Sequence, residues 1–288
     1  MTMKKIWILS LLVFIIACSK EKETPNDPTS GEEKENSYGL NNDDEARIEE
    51  LHVMTYNIHA ANPPAEAGIV DLYAIASVIN ESEADVVLLQ EVDKNTGRNN
   101  FTGDQAKELG SLCKMNYHFY PAIIYKSGYY GVAILSRYPL LRPARHELPN
   151  ETGLEQRVLG TAIVDLPGID SVMIACTHLQ NSSANNRIDQ VKKIVDLLAP
   201  VSTPLIIGGD FNEKPTAERF FSIFDANFTR TCPGTDCPFT FSTGNPNAVI
   251  DYLAYKPTGS FTVTQHEVIE EKNASDHFPV IATFKFNR

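Results

Sequence analysis

Residues 205–212 read Leu205-Ile206-Ile207-Gly208-Gly209-Asp210-Phe211-Asn212. A short apolar run closed by glycine reads as a buried strand rather than a helix. Its acid and amide stand at the C-terminal end, where loops on a rigid sheet carry function. The same build recurs along the chain. Val53-Met54-Thr55-Tyr56 runs into Asn57, Val86-Val87-Leu88-Leu89 into Gln90 and Glu91, and residues 172–177 into His178. Asp251 opens Asp251-Tyr252-Leu253 after Ile250, and Asp276-His277 precedes Phe278-Pro279-Val280-Ile281. Taken singly, each polar residue has a plain structural explanation as a turn, a cap or a solvated strand end. Repeated six times on one pattern, they point to one shared site.

Outward from these segments, strand-like and helix-like stretches alternate. Strands are expected over 51–58, 85–92, 117–125, 131–136, 158–166, 171–179, 205–208, 250–255, 261–269 and 279–286. Helical spacing of apolar residues predicts helices over 70–79, 105–115, 184–198 (stopped by Pro200) and 217–224. No repeat of solenoid period and no dividing linker interrupts residues 48–288. The expectation is one α+β domain, with strands packed as two sheets and helices on the outer faces. Substrate choice is expected in the loops 93–104, 126–130, 142–156 and 227–247, with Phe239 and Phe241 of the last expected in the core or, if exposed, against a lipid or a ring.

The N-terminus reads as an export signal. Lys4 and Lys5 precede an apolar stretch from Ile6 to Ala17 that only Ser10 interrupts, too short to span a bilayer comfortably. It ends Ile15-Ile16-Ala17-Cys18, which resembles a bacterial lipobox, and Cys18 is then the lipidated residue. Residues 1–17 are expected as the signal, 18–46 as a polar, flexible lipidated tether, and 47–288 as the catalytic domain. The expected location is the bacterial cell envelope, periplasmic or surface-exposed and held to a membrane by the anchor, and the expected state is a monomer.

The formal net charge is −12, and −14 without the first seventeen residues, which hold two lysines and no acid. So acidic a chain repels polyanions at long range, which disfavours bulk nucleic acid as the partner. Of the five cysteines, Cys113 and Cys176 lie in apolar patterns and read as buried thiols. Cys232 and Cys237 flank the turn-like Pro233-Gly234-Thr235-Asp236, and either a local disulfide or two free thiols fits.

Thr55-Tyr56-Asn57-Ile58, Leu89-Gln90-Glu91-Val92, Gly208-Gly209-Asp210-Phe211-Asn212, Ile250-Asp251-Tyr252 and Ser275-Asp276-His277-Phe278-Pro279 occur here in one order and spacing. That series resembles the endonuclease/exonuclease/phosphatase superfamily, which includes pancreatic-type deoxyribonuclease, apurinic endonucleases, neutral sphingomyelinases and inositol-phosphate 5-phosphatases. The likeness covers residues 50–287. It implies a four-layer α/β/β/α sandwich of two mainly antiparallel sheets packed face to face. His178, within Cys176-Thr177-His178-Leu179, matches the deoxyribonuclease, sphingomyelinase and phosphatase branches rather than the apurinic endonucleases. Those endonucleases carry an aspartate where this chain has His59, which makes a second metal less expected here.

Phosphoester hydrolysis needs neutralised phosphoryl oxygens, an activated water and help for the leaving oxygen. Mg²⁺ prefers oxygen donors and keeps several waters, so one or two carboxylates and an amide suffice. Glu91, Asn57 and Asp276 are the expected ligands, for Mg²⁺ or alternatively Mn²⁺ or Ca²⁺. His277 is the expected general base, oriented by Asp251. Asp210 and Asn212 are expected to position the nucleophile or bind phosphate, with Gly208 and Gly209 letting the backbone approach the substrate. His178 can donate to a phosphoryl oxygen or protonate the leaving group, Arg157 can bind phosphate or brace the site, and Tyr129 or Tyr130 can face the cleft. The expected activity is an exported, metal-dependent phosphoesterase on a lipid headgroup, sugar phosphate or similar ester. Alternatives are a secreted nuclease and a non-catalytic binding domain.

Overall fold

The computed structural model describes residues 37–39, 43–66 and 68–288. Two six-stranded sheets form the centre. The first has the order β11 (Phe261–Val268), β12 (Val280–Phe286), β1 (Glu50–Asn57), β2 (Val86–Lys94), β4 (Gly128–Ser136) and β3 (Asn116–Tyr125). The second has the order β5 (Leu140–Glu147), β6 (Val158–Leu166), β7 (Asp170–His178), β8 (Leu205–Asp210), β10 (Asp251–Lys256) and β9 (Thr229–Arg230). Each sheet holds one parallel pair at its middle, β1 with β2 and β7 with β8, and its other pairings are antiparallel.

Period-two alternation explains the layers. Leu51, Val53, Leu88 and Ile134 of the first sheet meet Val164, Ile174, Ile206 and Leu253 of the second in one buried cluster. The alternate residues Met54, Tyr56, Val87 and Leu89 face outward onto α1 (Leu72–Glu81) and α2 (Gln105–Cys113) through Ile75, Ile79 and Leu109. On the other side Leu205, Ile207 and Tyr252 pack on α3 (Ala184–Leu198) and α4 (Glu218–Phe224) through Val191, Ile194, Phe220 and Phe224. The helix–sheet–sheet–helix order is the expected sandwich. Asp71, Asp104 and Ser183 cap α1, α2 and α3, each accepting a hydrogen bond from the backbone N–H three residues on.

Three local readings change. Residues 140–147 form edge strand β5 where much of this stretch was expected as loop. Pro143, the left-handed Arg142 and a register shift between Leu141 and Ala144 hide the alternation, and an edge strand tolerates all three. Phe239, expected in the core, is 51% exposed. The glycine pair, expected to admit substrate, makes room for protein. A Cβ on Gly209, whose φ is 154°, would lie 1.9 Å from the Thr177 carbonyl oxygen, and one on Gly208 would meet Leu253 and Leu88.

Cys232 and Cys237 are joined as a disulfide. Cys113 and Cys176 are buried thiols, and burial pushes them up to about 11 and about 12. The expected signal, Cys18 and most of the expected tether lie outside the described residues. At the tether's end, the Ser37 and Tyr38 N–H groups donate to Asn116 Oδ1, so this short piece lies against the domain. Among the described residues no helix is long and apolar enough to cross a membrane.

Candidate active site

Strand pairing gathers the polar residues. In the parallel pair β1–β2, Asn57 stands opposite Gln90, so Glu91 follows at the same strand end. In the parallel pair β7–β8, His178 stands opposite Asp210, and antiparallel β10 sets Asp251 on the other flank of Asp210. Parallel neighbours end at the same edge, so four strand ends from two sheets converge there. Across the sheets, Asn57 Nδ2 donates to Asp210 Oδ2 at 3.1 Å, and within its own sheet it donates to Glu91 Oε1 at 3.2 Å.

Asp210 is the hub. Its Oδ1 accepts the Asn212 backbone N–H at 2.9 Å, while Oδ2 lies 3.4 Å from His178 Nε2 and 3.8 Å from His277 Nε2. Burial raises its carboxyl to about 7, with the Asp251 charge adding to the rise. His277 Nδ1 meets Asp251 Oδ2 at 2.9 Å, both side chains almost fully buried. Burial alone would lower the imidazole, but the Asp251 charge and hydrogen bond, then Asp210 and Asp276, outweigh it and the net shift is upward.

His178 is pushed the other way, well below the usual histidine range, by burial and then by the charges of Arg157 and His277. It is therefore neutral at neutral pH. Its Nδ1 is buried without a hydrogen-bond partner, as are Arg157 Nε and Asp251 Oδ1. Arg157 is buried and pairs through one amino nitrogen with Glu155 at 3.0 Å. Unpaired buried polar atoms are costly, so a patch of them is a place for a polar ligand. The depressed His178 has a consequence for stability. Unfolded, it would titrate near about 6.5; folded, it stays neutral lower down. The unfolded state then binds more protons below pH ~6.5, so stability is present above that value and is lost as pH falls toward the folded value. Replacing His178 with glutamine should flatten this part of the profile, read as the urea midpoint between pH ~6.5 and ~5.

Glu91 owes its position to the backbone. It adopts φ 58° inside β2, where the β2–β4 register shifts between Leu89 and Val92. Such a bulge re-aims one side chain at a sheet's end, and left-handed backbone away from glycine is kept where structure or function demands it. Asp276 lies at the rim, a third exposed, with the His59 ring 3.9 Å away. The carboxylates of Glu91 and Asp276 and the amide oxygen of Asn57 are the hard donor types a divalent cation such as Mg²⁺ takes. Asp210, Asp251 and His277 also place one ligand atom each within 4.8 Å of one another. There the direct His277–Asp251 bond already joins the groups a cation would have to separate, so the trio fits proton transfer better than metal holding.

Asn212, at φ 52°, spends its side-chain amide on the Leu179 carbonyl, joining the loop after His178 to the loop after Asp210. Arg187 reinforces that join, donating to Glu213 Oε1 at 2.7 Å and to the carbonyls of Gln180 and Asn181. Tyr129 falls on the wrong face: it packs with Ala133 and Leu135 toward the helices. Tyr130 takes the alternate, inter-sheet face with Val132 and feels the charges of Glu91 and Arg157, so it is the tyrosine beside the site. Arg98, from the 93–104 loop, lies over the Tyr125 ring at 4.5 Å and the Tyr130 ring at 5.3 Å, and pairs with Asp93 at 2.9 Å.

Sequence reasoning gave no role to Ser275 or Thr240, and read Phe241 as core or a lipid contact rather than as a neighbour of His277. Ser275 Oγ donates to the Asn57 carbonyl at 2.7 Å and accepts the His277 N–H at 3.3 Å, tying the two halves of the site. Thr240 Oγ1 accepts the Ile250 and Asp251 N–H groups. The Phe241 ring lies 4.7 Å from the His277 ring, centroid to centroid. Ser275 stood inside the Ser-Asp-His block; Thr240 and Phe241 carried no signal, because only the tertiary fold brings their loop to β10.

The chain resembles solved structures of the same architecture. An endonuclease/exonuclease/phosphatase from Beutenbergia cavernae is 26% identical, with 83% of this chain and 72% of that one covered and a TM-score of 0.70. A mannosyl-6-phosphatase from Bacteroides thetaiotaomicron is 16% identical over 82% of this chain and 100% of that one, at a TM-score of 0.67. The human Nocturnin catalytic domain with bound sulfate is 20% identical over 84% of this chain and 97% of that one, at a TM-score of 0.63. No curated protein matches the chain in sequence. Residues 54–277, from within β1 to the histidine of the dyad, match one family along their whole length: the chain belongs to the Endonuclease/Exonuclease/phosphatase family, whose members are generally hydrolytic and typically depend on a divalent metal.

Proposed function

We propose that this protein is an exported, lipid-anchored phosphoesterase that hydrolyses a phosphodiester or phosphomonoester by His277-activated attack of water. The observation that carries the reading is the buried His277–Asp251 bond of 2.9 Å, set against Asp210, with Asn57 linking Asp210 to Glu91. Asp251 accepts the Nδ1 proton and so leaves Nε2 as the base that takes a proton from water. Asp210 lies beside that nitrogen and can hold the water in line. His178, kept neutral, is suited to donating a hydrogen bond to a phosphoryl oxygen rather than delivering a proton to the leaving group. The unpartnered Arg157 Nε gives that oxygen a second donor. Glu91, Asn57 and Asp276 would hold the divalent cation, Mg²⁺ or alternatively Mn²⁺ or Ca²⁺, which supplies charge neutralisation when bound.

The substrate class in this reading is a lipid headgroup or a sugar phosphate, and His178 supports the sphingomyelinase and phosphatase side of the family. The net charge of −12 supports this over a nuclease. So do the ion pairs of Arg145 with Glu147 and Arg187 with Glu213, which neutralise cations a nucleic-acid groove would need free. The Cys18 anchor, the tether, the cell-envelope location and a monomeric state complete the reading, on the sequence pattern alone. Purified full-length protein should release phosphate or headgroup from at least one member of a panel of sugar phosphates, phospholipids and model diesters in the presence of Mg²⁺, Mn²⁺ or Ca²⁺. It should leave plasmid and single-stranded DNA intact. Rapid DNA cleavage with an inert ester panel would reverse the order of the two readings.

A further inference from the structure

Arg98 is held more firmly than a surface arginine needs to be. Its turn takes left-handed backbone at Gly97, Asn99 and Asn100, with φ values of 72°, 52° and 61°. Two of the three are not glycine, and such backbone persists where its surroundings over-determine it. Here buried Thr96 Oγ1 accepts the Arg98 N–H at 3.1 Å and donates to Asp93 Oδ2 at 2.9 Å. The guanidinium meets Asp93 along one edge, with Nε 2.9 Å from Oδ2 and Nη2 3.3 Å from Oδ1. The rings of Tyr125 and Tyr130 pack against it, their centroids 4.5 Å and 5.3 Å away. An edge spent on Asp93 leaves Nη1, which has no hydrogen-bond partner among the described residues. The side chain is 24% exposed, so solute can reach it.

This group borders the site. Asp93 follows Glu91 by two residues in β2 and pairs with Tyr130 of β4. Burial acts on the Tyr130 hydroxyl together with the charges of Glu91, Arg157, Glu155 and Arg98, so Tyr130 has the proposed metal and phosphate residues as neighbours as well as Arg98. Asn99 donates to Asn62 Oδ1 at 2.8 Å, which joins the Arg98 turn to the loop holding His59 beside Asp276.

We infer that Arg98, set on Tyr125 and Tyr130, is a subsite for a hydroxylated ring carried on the scissile phosphate, with Nη1 donating to ring hydroxyls. The inference rests on the proposed phosphoesterase reading and narrows its substrate class to a sugar phosphate or a lipid bearing such a ring. Asp93 balances the guanidinium, so the subsite offers N–H donors without surplus positive charge, which suits a neutral hydroxyl better than a second phosphate. A few placed donors among aromatic side chains is the make-up of a small-molecule site, and a side chain already fixed loses little freedom on binding. Exposed Lys126, whose Nζ lies 5.8 Å from the Tyr125 centroid, is the control for that choice.

The test compares glucose, mannose and galactose phosphates and their methyl diesters with phenyl phosphate and methyl phenyl phosphate, which carry no ring hydroxyl. Vesicles of phosphatidylinositol and of phosphatidylcholine, assayed alongside, tell a lipid-borne ring from a free one. Arg98→Lys keeps a cation against buried Asp93, and with it the fold, but gives up the planar fork and Nη1. KM for the hydroxylated esters should rise about tenfold or more, the worth of a charged donor, with kcat within about threefold of the parent's. The phenyl esters should change less than that in kcat/KM, and Lys126→Gln should leave both series unchanged. Saturation-transfer NMR on His277→Ala protein should show the sugar ring protons in contact and lose them when Arg98→Lys is added. Equal losses on both series would make Arg98 a support of its loop and overturn the subsite. So would a parent that hydrolyses phenyl esters or phosphatidylcholine but no hydroxylated ring, and in both cases the phosphoesterase reading stands. A sugar bisphosphate preferred to the monophosphate, with the preference lost in Lys126→Gln, would mean a second anion and overturn it too. A parent inert toward every ester removes the phosphoesterase reading and the inference with it.

Discussion

Replacing His277 with alanine should lower kcat by about 10²- to 10⁴-fold, the range over which a positioned general base contributes. The loss should fall on kcat more than on KM, because Nε2 acts on water rather than on the ester. Asp251 would lose its ring partner and stay buried as an uncompensated charge, which costs about 3–5 kcal/mol, so the rate is compared on protein whose circular dichroism overlays the parent's. Asp251→Asn separates orientation from charge. The Asp251 carboxylate raises the proton affinity of His277 by its charge and its hydrogen bond. Removing that charge lets the imidazole shed its proton at lower pH. The acid limb of kcat/KM should therefore move downward in pH even as the plateau rate falls, because an amide can hold the wrong tautomer. A plateau loss with no shift of the limb would separate His277 from the proton transfer. A His277→Ala enzyme working at a tenth of the parent rate would remove it from the chemistry altogether.

The strands that build this site were legible because each is a short apolar run ending on a polar residue, and burial on both faces leaves little else for such a run to be. Asn57, Glu91, His178 and Asp210 come together through two parallel pairings, Asp251 through antiparallel β10 and His277 through the loop before β12, and sequence periodicity specifies none of these. Which of Tyr129 and Tyr130 faces the cleft stayed open in the sequence for a related reason. Tyr129 and Tyr130 are neighbours in a strand, so they face opposite layers, and a shift of one residue exchanges them. The bulge that re-aims Glu91 sits within β2 and is invisible in composition. β5 hid behind Pro143 and its charges, and the loop that brings Thr240 and Phe241 to the dyad has no period at all. Local pattern carried the elements; long-range pairing set which side chains meet.

Gly209→Ala should destabilise the domain by more than about 3 kcal/mol, above the usual range for one added methyl group in a packed interior. The new Cβ would stand 1.9 Å from the Thr177 carbonyl oxygen and 2.9 Å from its carbonyl carbon, both backbone atoms of the neighbouring parallel strand. Backbone cannot swing aside as a side-chain tip does, and φ 154° is itself poor for any residue with a Cβ. Relief requires β7 and β8 to part where Thr177 pairs with Gly209, one step before His178 meets Asp210. Stability and catalysis should fall together, with the kcat loss exceeding what the unfolded fraction explains. Gly208→Ala is the control. Its Cβ would meet the Cδ2 of Leu253 at 2.6 Å and the Cδ1 of Leu88 at 2.8 Å, flexible tips that can rotate away, although the Tyr252 carbonyl oxygen stands at 3.0 Å. It should cost about 1–3 kcal/mol and leave kcat of the folded fraction near the parent value. Urea denaturation and kcat of both variants supply the comparison. Equal losses at the two glycines would mean that the parallel register is not what holds His178 against Asp210.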